Sequence, residues 1–147
     1  MRAKGDPLQG GSMGERGNIV VVQHPNRPEK GEGEIYLYTH FGGECLPSIV
    51  HQVLARRLRW DDEGYLTRML FSALVDGDVQ GDSGAGITSY LTDNGYPLLV
   101  LDTHKKRVSM RDAGFSDRSW TFEEFVRLDI DEDQPWLALG YDVEADE

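Results

Sequence analysis

The densest polar segment of the sequence runs from Tyr38 to Cys45 and contains a histidine, two glycines and a thiol. It follows a strand-like stretch and precedes a helix-like one, so Gly42 and Gly43 lie where the free N–H groups of a helix start attract anions. We therefore predict that His40, Gly42 and Gly43 bind a phosphate or carboxylate. The alternative is structural, with two glycines that turn the chain and a histidine that ends a strand.

A second kind of chemistry is possible at Cys45, the only cysteine of the chain. A lone cysteine excludes a disulfide framework. A thiol at a helix N-terminus is a potential nucleophile, and His40 is close enough in sequence to act as its base. A small hydrolase or transferase is therefore an alternative function. Because the spacing reveals no third residue to orient the base, and because a lone cysteine is more often a small core residue, we predict no catalytic residue.

The segment from Asp76 to Asp82 partly matches a calcium-binding loop. Asp76, Asp78 and Asp82 occupy positions 1, 3 and 7 of such a loop, and Gly81 occupies position 6, where a sharp turn is needed. Position 12 is Ile87 instead of a bidentate glutamate, and a strand follows instead of a helix. We predict at most a weak metal contact through the three aspartates, with a plain surface loop as the alternative.

The basic residues of the ordered part cluster in one region, and the sequence lacks cofactor motifs. The cluster is Arg56, Arg57, Arg59 and Arg68, of which we select Arg68 as a second ligand-binding candidate. Neutralisation of acids within the domain is the alternative. The four histidines show no zinc-like spacing, and no phosphate-binding loop occurs, so we expect no cofactor.

Acidic residues dominate the charge of this 147-residue chain. There are 26 acidic and 15 basic residues, which gives a net charge of −11 and disfavours direct nucleic-acid binding. Only four of the basic residues are lysines. An acid-rich, lysine-poor surface suits a salt-rich cytoplasm, and a GC-rich genome is the alternative explanation. No segment approaches the roughly 18 apolar residues of a membrane span, and no signal peptide is evident, so we expect a cytoplasmic protein.

The chain divides into three parts. Residues 1–17 form a glycine-rich leader, whose first twelve residues are either native or an added expression segment. Residues 18–128 form a single domain. Residues 129–147 form an acidic tail, which we expect to be partly docked because Trp136, Leu137, Leu139 and Tyr141 would be costly to expose together.

Hydrophobic patterns predict the order ββααβββα within the domain. The predicted strands are 19–22, 35–41, 87–91, 97–101 and 107–110, and the predicted helices are about 47–58, 61–75 and 121–128. Short turns between strands favour antiparallel pairing, and grouped helices favour one covered face. We therefore predict an α+β two-layer sandwich, with about five mainly antiparallel strands and helices on one face.

Three motifs resemble those of a family of small uncharacterised proteins from prokaryotes and their viruses. They are Tyr38-Thr39-His40-x-Gly42-Gly43, Trp60-Asp61-Asp62-x-x-Tyr65-Leu66-Thr67-Arg68 and Asp93-Asn94-x-Tyr96-Pro97. The resemblance covers about residues 18–110. It implies a prokaryotic, phage or archaeal-virus origin and carries no activity or catalytic residue with it.

These observations together predict a small acidic binding protein. Its target is a host protein or a small anionic ligand, and its oligomeric state is open. The alternatives are the hydrolase or transferase described above and a structural or assembly protein, in which the leader and tail become ordered against neighbouring subunits.

The charge pattern predicts how stability depends on salt. If the acidity is an adaptation to a salt-rich cytoplasm, the melting temperature should rise steadily from dilute buffer to about 1 M NaCl, where the Debye length falls to about 3 Å. Differential scanning calorimetry across this range tests the prediction. A flat or falling melting temperature would favour the explanation from genome composition.

Overall fold

The computed structural model describes residues 15–24, 33–77, 80–81, 84–92, 94–111 and 118–141. The strands are β1 (Gly17–Gln23), β2 (Gly33–Thr39), β3 (Ala85–Thr88), β4 (Leu98–Asp102), β5 (Arg107–Arg111) and β6 (Arg118–Thr121). The α-helices are α1 (Leu46–Ala55), α2 (Glu63–Val75) and α3 (Phe122–Val126). Short 3-10 helices span Gly43–Cys45 and Pro135–Leu139.

The six strands form one mixed sheet in the order β3-β2-β1-β4-β5-β6. The central strands β1 and β4 are parallel, with Ile19 opposite Leu99, and the other neighbouring strands are antiparallel. Both central strands are continuous apolar runs, as is typical of strands that are buried on both faces. The sheet therefore consists of two antiparallel halves, β1–β2–β3 and β4–β5–β6, joined at its centre.

All described helices pack on the same face of the sheet. The side chains of Ile19 and Val21 belong to the large core that contains the helices, whereas Val20 and Val22 belong to a small apolar cluster on the other face. We call this other side the helix-free face. The predicted α+β class is confirmed, and the sheet has six strands rather than about five. None of the described helices has the length and apolar character needed to cross a membrane.

The extra strand, β6, was missed because its sequence is short and mostly polar. Trp120 is its only large apolar residue, so no alternation marks it. Helix α1 ends at Ala55 and not near residue 58, because Arg57 and Arg59 adopt left-handed backbone conformations with φ of 56° and 60°. Strand β3 covers residues 85–88 instead of 87–91.

Side chains cap the starts of two helices, but the cap of α2 is Asp62 and not Asp61, the N-cap that the sequence favours. The Asp62 side chain accepts a hydrogen bond from the Tyr65 N–H (3.2 Å) at the start of α2. Thr121 and Glu124 have the spacing of a capping box and form one at the start of α3: the Thr121 hydroxyl accepts from the Glu124 N–H (3.0 Å), and the Glu124 carboxylate accepts from the Thr121 N–H (2.8 Å). Strand β6 therefore continues directly into α3.

The acidic segment after Asp129 contributes two large side chains to the core. Trp136 and Leu139 are buried, and the indole N–H of Trp136 donates to the carbonyl of Gly43 at 3.0 Å. The Trp136 ring also stacks on Tyr96, with centroids 5.4 Å apart. Packing in the core thus extends at least to Leu139. The leader before Glu15 and residues 142–147 lie outside the described residues.

The hydrogen bond between Trp136 and Gly43 predicts that replacing the indole lowers the stability of the fold. Replacing Trp136 by Phe should lower the free energy of unfolding by about 1–3 kcal/mol, because the buried bond to Gly43 is lost and the smaller ring leaves a void. Urea denaturation measures the change. The control, Leu137→Ala, alters an exposed neighbour and should cost no more than about 0.5 kcal/mol. Equal costs for the two variants would contradict this role of Trp136.

Candidate functional site

The predicted site at His40 and Gly42 is a turn that uses its own hydrogen-bonding groups. The N–H groups of Phe41 and Gly42 both donate to the Thr39 hydroxyl (3.3 and 3.1 Å), and the His40 N–H donates to the Gly84 carbonyl (2.9 Å). The half-buried His40 ring lies edge-on to Tyr38. His40 borders a small cavity of about 170 Å³. Anion binding here stays a prediction, although several of the amides that would attract an anion are already bonded.

The close packing around Gly43 explains why a glycine occupies this position. A Cβ atom added at Gly43 would lie 2.6 Å from the Glu15 carbonyl oxygen and 2.7 Å from the Tyr96 ring. Only glycine fits this position without displacement of its neighbours. The Gly43 carbonyl also accepts the Trp136 hydrogen bond described above.

The other predicted ligand residue, Arg68, lies on α2 and borders a different cavity from His40. This groove between α1 and α2 has a volume of about 410 Å³ and is also lined by Arg56, Leu58 and Ser72. The Arg68 guanidinium carbon is 5.9 Å from the Tyr65 ring centroid. The structure therefore does not join His40 and Arg68 in one cavity.

The remaining arginines of the basic cluster mostly contact groups of the same domain. Arg57 makes a two-pronged ion pair with Glu123 (2.6 and 2.7 Å), which raises the pKa of Arg57 and lowers the pKa of Glu123. Arg59 lies over the Tyr65 ring at 4.1 Å. Charge neutralisation within the domain therefore accounts for part of the cluster.

The remaining candidates from the sequence are Cys45 and the three aspartates of the predicted metal loop. Cys45 is exposed, directly before α1. Asp76 is exposed at the end of α2, in the left-handed conformation (φ 52°), and its N–H donates to the Ser72 carbonyl. Asp78 and Asp82 lie outside the described residues. In the part of the chain that the structure describes, no three His, Cys, Asp or Glu side chains are arranged to hold a metal ion.

A groove that the sequence reasoning did not identify crosses the helix-free face. Its volume is about 540 Å³, and Val22 and Val100 contribute apolar surface to it. The alternation along β5 places Arg107, Ser109 and Arg111 on this face, while Val108 and Met110 are buried. The lining also includes Glu34, Asp102, Lys105 and Ser119, and Met110 and Arg118 border the groove although they pair with each other on the opposite side of β5 and β6. We call this cavity the sheet groove.

One wall of the sheet groove is formed by a chain of polar contacts across the sheet. Arg111 donates to both Glu34 oxygens (3.0 and 3.4 Å), and the Tyr36 hydroxyl donates to Glu34 at 2.7 Å. The bond from Arg111 chiefly, and that from Tyr36, lower the pKa of Glu34 against the opposing effect of burial. The same bond to Glu34 raises the pKa of Tyr36. Glu34 is therefore held as an ionised acceptor.

Two other cations that line the sheet groove, Lys105 and Arg107, keep hydrogen-bond donors that a ligand can use. Arg107 donates to the Ser119 hydroxyl at 2.7 Å. Within the described residues, no carboxylate lies within ion-pair distance of Arg107 or Lys105. A guanidinium group has five N–H donors, so Arg107 retains donors for a ligand after its bond to Ser119.

A histidine–aspartate pair lies at one end of the groove, where the parallel strands β1 and β4 both end. The Asp102 carboxylate is 3.0 Å from His24 Nε2 and accepts from the N–H groups of His104 (2.9 Å) and Lys105 (3.1 Å). The rings of His24 and His104 stack with centroids 4.4 Å apart. Asp102 thus fixes the turn that presents Lys105 beside the groove.

Part of the signal for this region is present in the sequence. The segment Arg107-Val108-Ser109-Met110-Arg111 alternates between polar and apolar residues, which indicates a strand with one polar face. Nothing in the sequence indicates that β1 lies beside β4, so the approach of His24 to Asp102 could not be predicted from spacing.

Comparison of the chain with protein-family models, with curated proteins and with solved structures finds no match. The resemblance based on the three sequence motifs therefore stays a prediction.

The contact between Glu34 and Arg111 predicts a pH-dependent contribution to stability. Glu34→Gln should lower the free energy of unfolding at neutral pH by at most about 1 kcal/mol, because both side chains are partly exposed. A carboxyl group with a lowered folded pKa stabilises the fold above its ordinary value of 4.5, and this contribution is lost as pH falls through the folded pKa.

Urea denaturation between pH 7 and about 3 measures this difference. The control is Glu132→Gln, which removes an exposed carboxylate elsewhere. A difference between Glu34→Gln and wild type that stays constant down to the lowest pH would contradict the contribution of an ionised Glu34.

Proposed function

We propose that this chain is a small cytoplasmic binding protein of prokaryotic or viral origin, whose ligand is a small anion held in the sheet groove. The observation that carries the proposal is the concentration of positive charge at this groove in a strongly acidic chain. Lys105, Arg107 and Arg111 line it, against the two carboxylates of Glu34 and Asp102. The chain as a whole carries a net charge of −11.

The size and composition of the sheet groove suit a small molecule. Its volume of about 540 Å³ lies within the range of about 300–1,000 Å³ that is typical of small-molecule sites. Val22 and Val100 offer apolar contact, and Ser109 and Ser119 offer hydroxyl groups. A phosphorylated or carboxylated metabolite with a partly apolar body matches this combination.

Arg107 is the side chain best suited to bind the anionic group. Guanidinium groups bind phosphate and carboxylate through paired hydrogen bonds, and such charged bonds are stronger than neutral ones. Because Arg107 has no carboxylate partner among the described residues, an anion would not have to displace one. Arg111 already contacts Glu34, so its role is expected to be smaller.

Anion binding can be tested with inorganic phosphate at constant ionic strength. Isothermal titration calorimetry of the wild type should show saturable binding, and Arg107→Gln should weaken it about tenfold or more, because a hydrogen bond to a charged group contributes about 1.5–3 kcal/mol. The matched control is Arg127→Gln, which removes the same charge from an exposed arginine that pairs with Glu123 outside the groove.

Two outcomes would overturn the proposal. The first is wild-type protein that binds neither phosphate nor citrate, a larger tricarboxylate. The second is an equal loss of affinity in the two arginine variants, which would indicate a general charge effect instead of a site at Arg107.

A further inference from the structure

The outer edge of β3 is bordered by exposed apolar side chains. Among the described strands, β3 is the terminal strand of the sheet and pairs only with β2. Four of the seven large hydrophobic side chains that are exposed in the described residues lie on or near this strand: Phe41, Ile87, Tyr90 and Leu91. Single exposed hydrophobic residues are ordinary, but a group beside an unpaired strand edge is typical of a pairing surface.

The backbone of β3 directs hydrogen-bonding groups towards this edge. The His40 N–H donates to the Gly84 carbonyl at 2.9 Å, and the antiparallel register continues in step to Thr88. Because the direction of hydrogen bonding alternates along an antiparallel strand, the N–H and C=O groups of Ala85 and Ile87 point away from β2. A further strand could therefore pair with β3 without disturbing the sheet.

The edge of β3 carries no charged side chains, which suits contact between two acidic chains. Residues 84–92 contain no Asp, Glu, Lys or Arg, and β3 lacks the lysine or proline that often protects an edge strand. Two chains that each carry −11 repel each other wherever acidic surfaces approach. The β3 edge is a surface where two copies can meet through uncharged residues.

We propose that two copies of this chain associate through antiparallel pairing of their β3 strands. A two-fold axis at Gly86 places Ala85 of each copy opposite Ile87 of the other, so the outward N–H and C=O groups of both strands pair. The exposed Ile87 side chain, which is 54% accessible, then lies opposite Ala85 of the other copy and diagonally across the axis from its Ile87. None of the residues that line the sheet groove lies on β3, so this proposal does not depend on ligand binding.

Analytical ultracentrifugation of the wild type over a range of protein and salt concentrations tests the association. The dimer fraction should rise with protein concentration, and also from dilute buffer to about 1 M NaCl, because salt screens the repulsion between acidic chains. Ile87→Lys should leave the protein monomeric at concentrations where the wild type is dimeric. The matched control, Leu137→Lys, adds the same charge at another exposed apolar residue and should still dimerise.

Hydrogen exchange followed by NMR gives a second readout on the unmodified protein. The amides of Ala85 and Ile87 should become more protected as protein concentration rises, whereas those of Gly86 and Thr88, which face β2, should change little. The proposal is wrong if the wild type stays monomeric throughout. It is also wrong if Ile87→Lys and Leu137→Lys dimerise equally, or if the added protection appears away from β3.

Discussion

The parallel pairing of β1 with β4 is the contact on which the rest of this structure depends. It joins two antiparallel three-stranded halves into one sheet, and it places Val20, Val22 and Val100 at the centre of the helix-free face. It also brings the ends of the two strands together, so that His24 meets Asp102. Without this pairing, the floor of the sheet groove and the polar wall from Glu34 to Arg111 would belong to separate units.

The two halves of the sheet offer different surfaces. Strand β5 presents alternating arginine and serine side chains, because its Val108 and Met110 belong to the helix-covered core. The β2–β3 side ends in an uncharged edge bordered by apolar residues. Ligand binding in the sheet groove and strand pairing at β3 can therefore occur together. The groove uses side chains on the helix-free face, and the pairing uses backbone groups at the outer edge of β3.

Local sequence patterns predicted most of the individual strands and helices. They did not predict how the strands are ordered in the sheet. The apolar runs of β1 and β4 and the capping box of α3 are encoded within a few neighbouring residues, so each could be recognised from sequence. Strand β6 has no such pattern, and only its pairing with β5 identifies it as a strand. The sheet groove needs Glu34 and Arg111 to meet across two intervening strands, a relation that depends on strand order and has no local signature.

The bond between Trp136 and Gly43 has a consequence for synthesis on the ribosome. The two residues are 93 positions apart, and the indole covers the position where Gly43 packs against Tyr96. A nascent chain that ends before Trp136 lacks the indole that packs against Gly43 and Tyr96, so it cannot close this part of the core. The early product therefore exposes apolar surface until translation reaches the acidic segment, whose negative charge then helps to keep the emerging chain in solution.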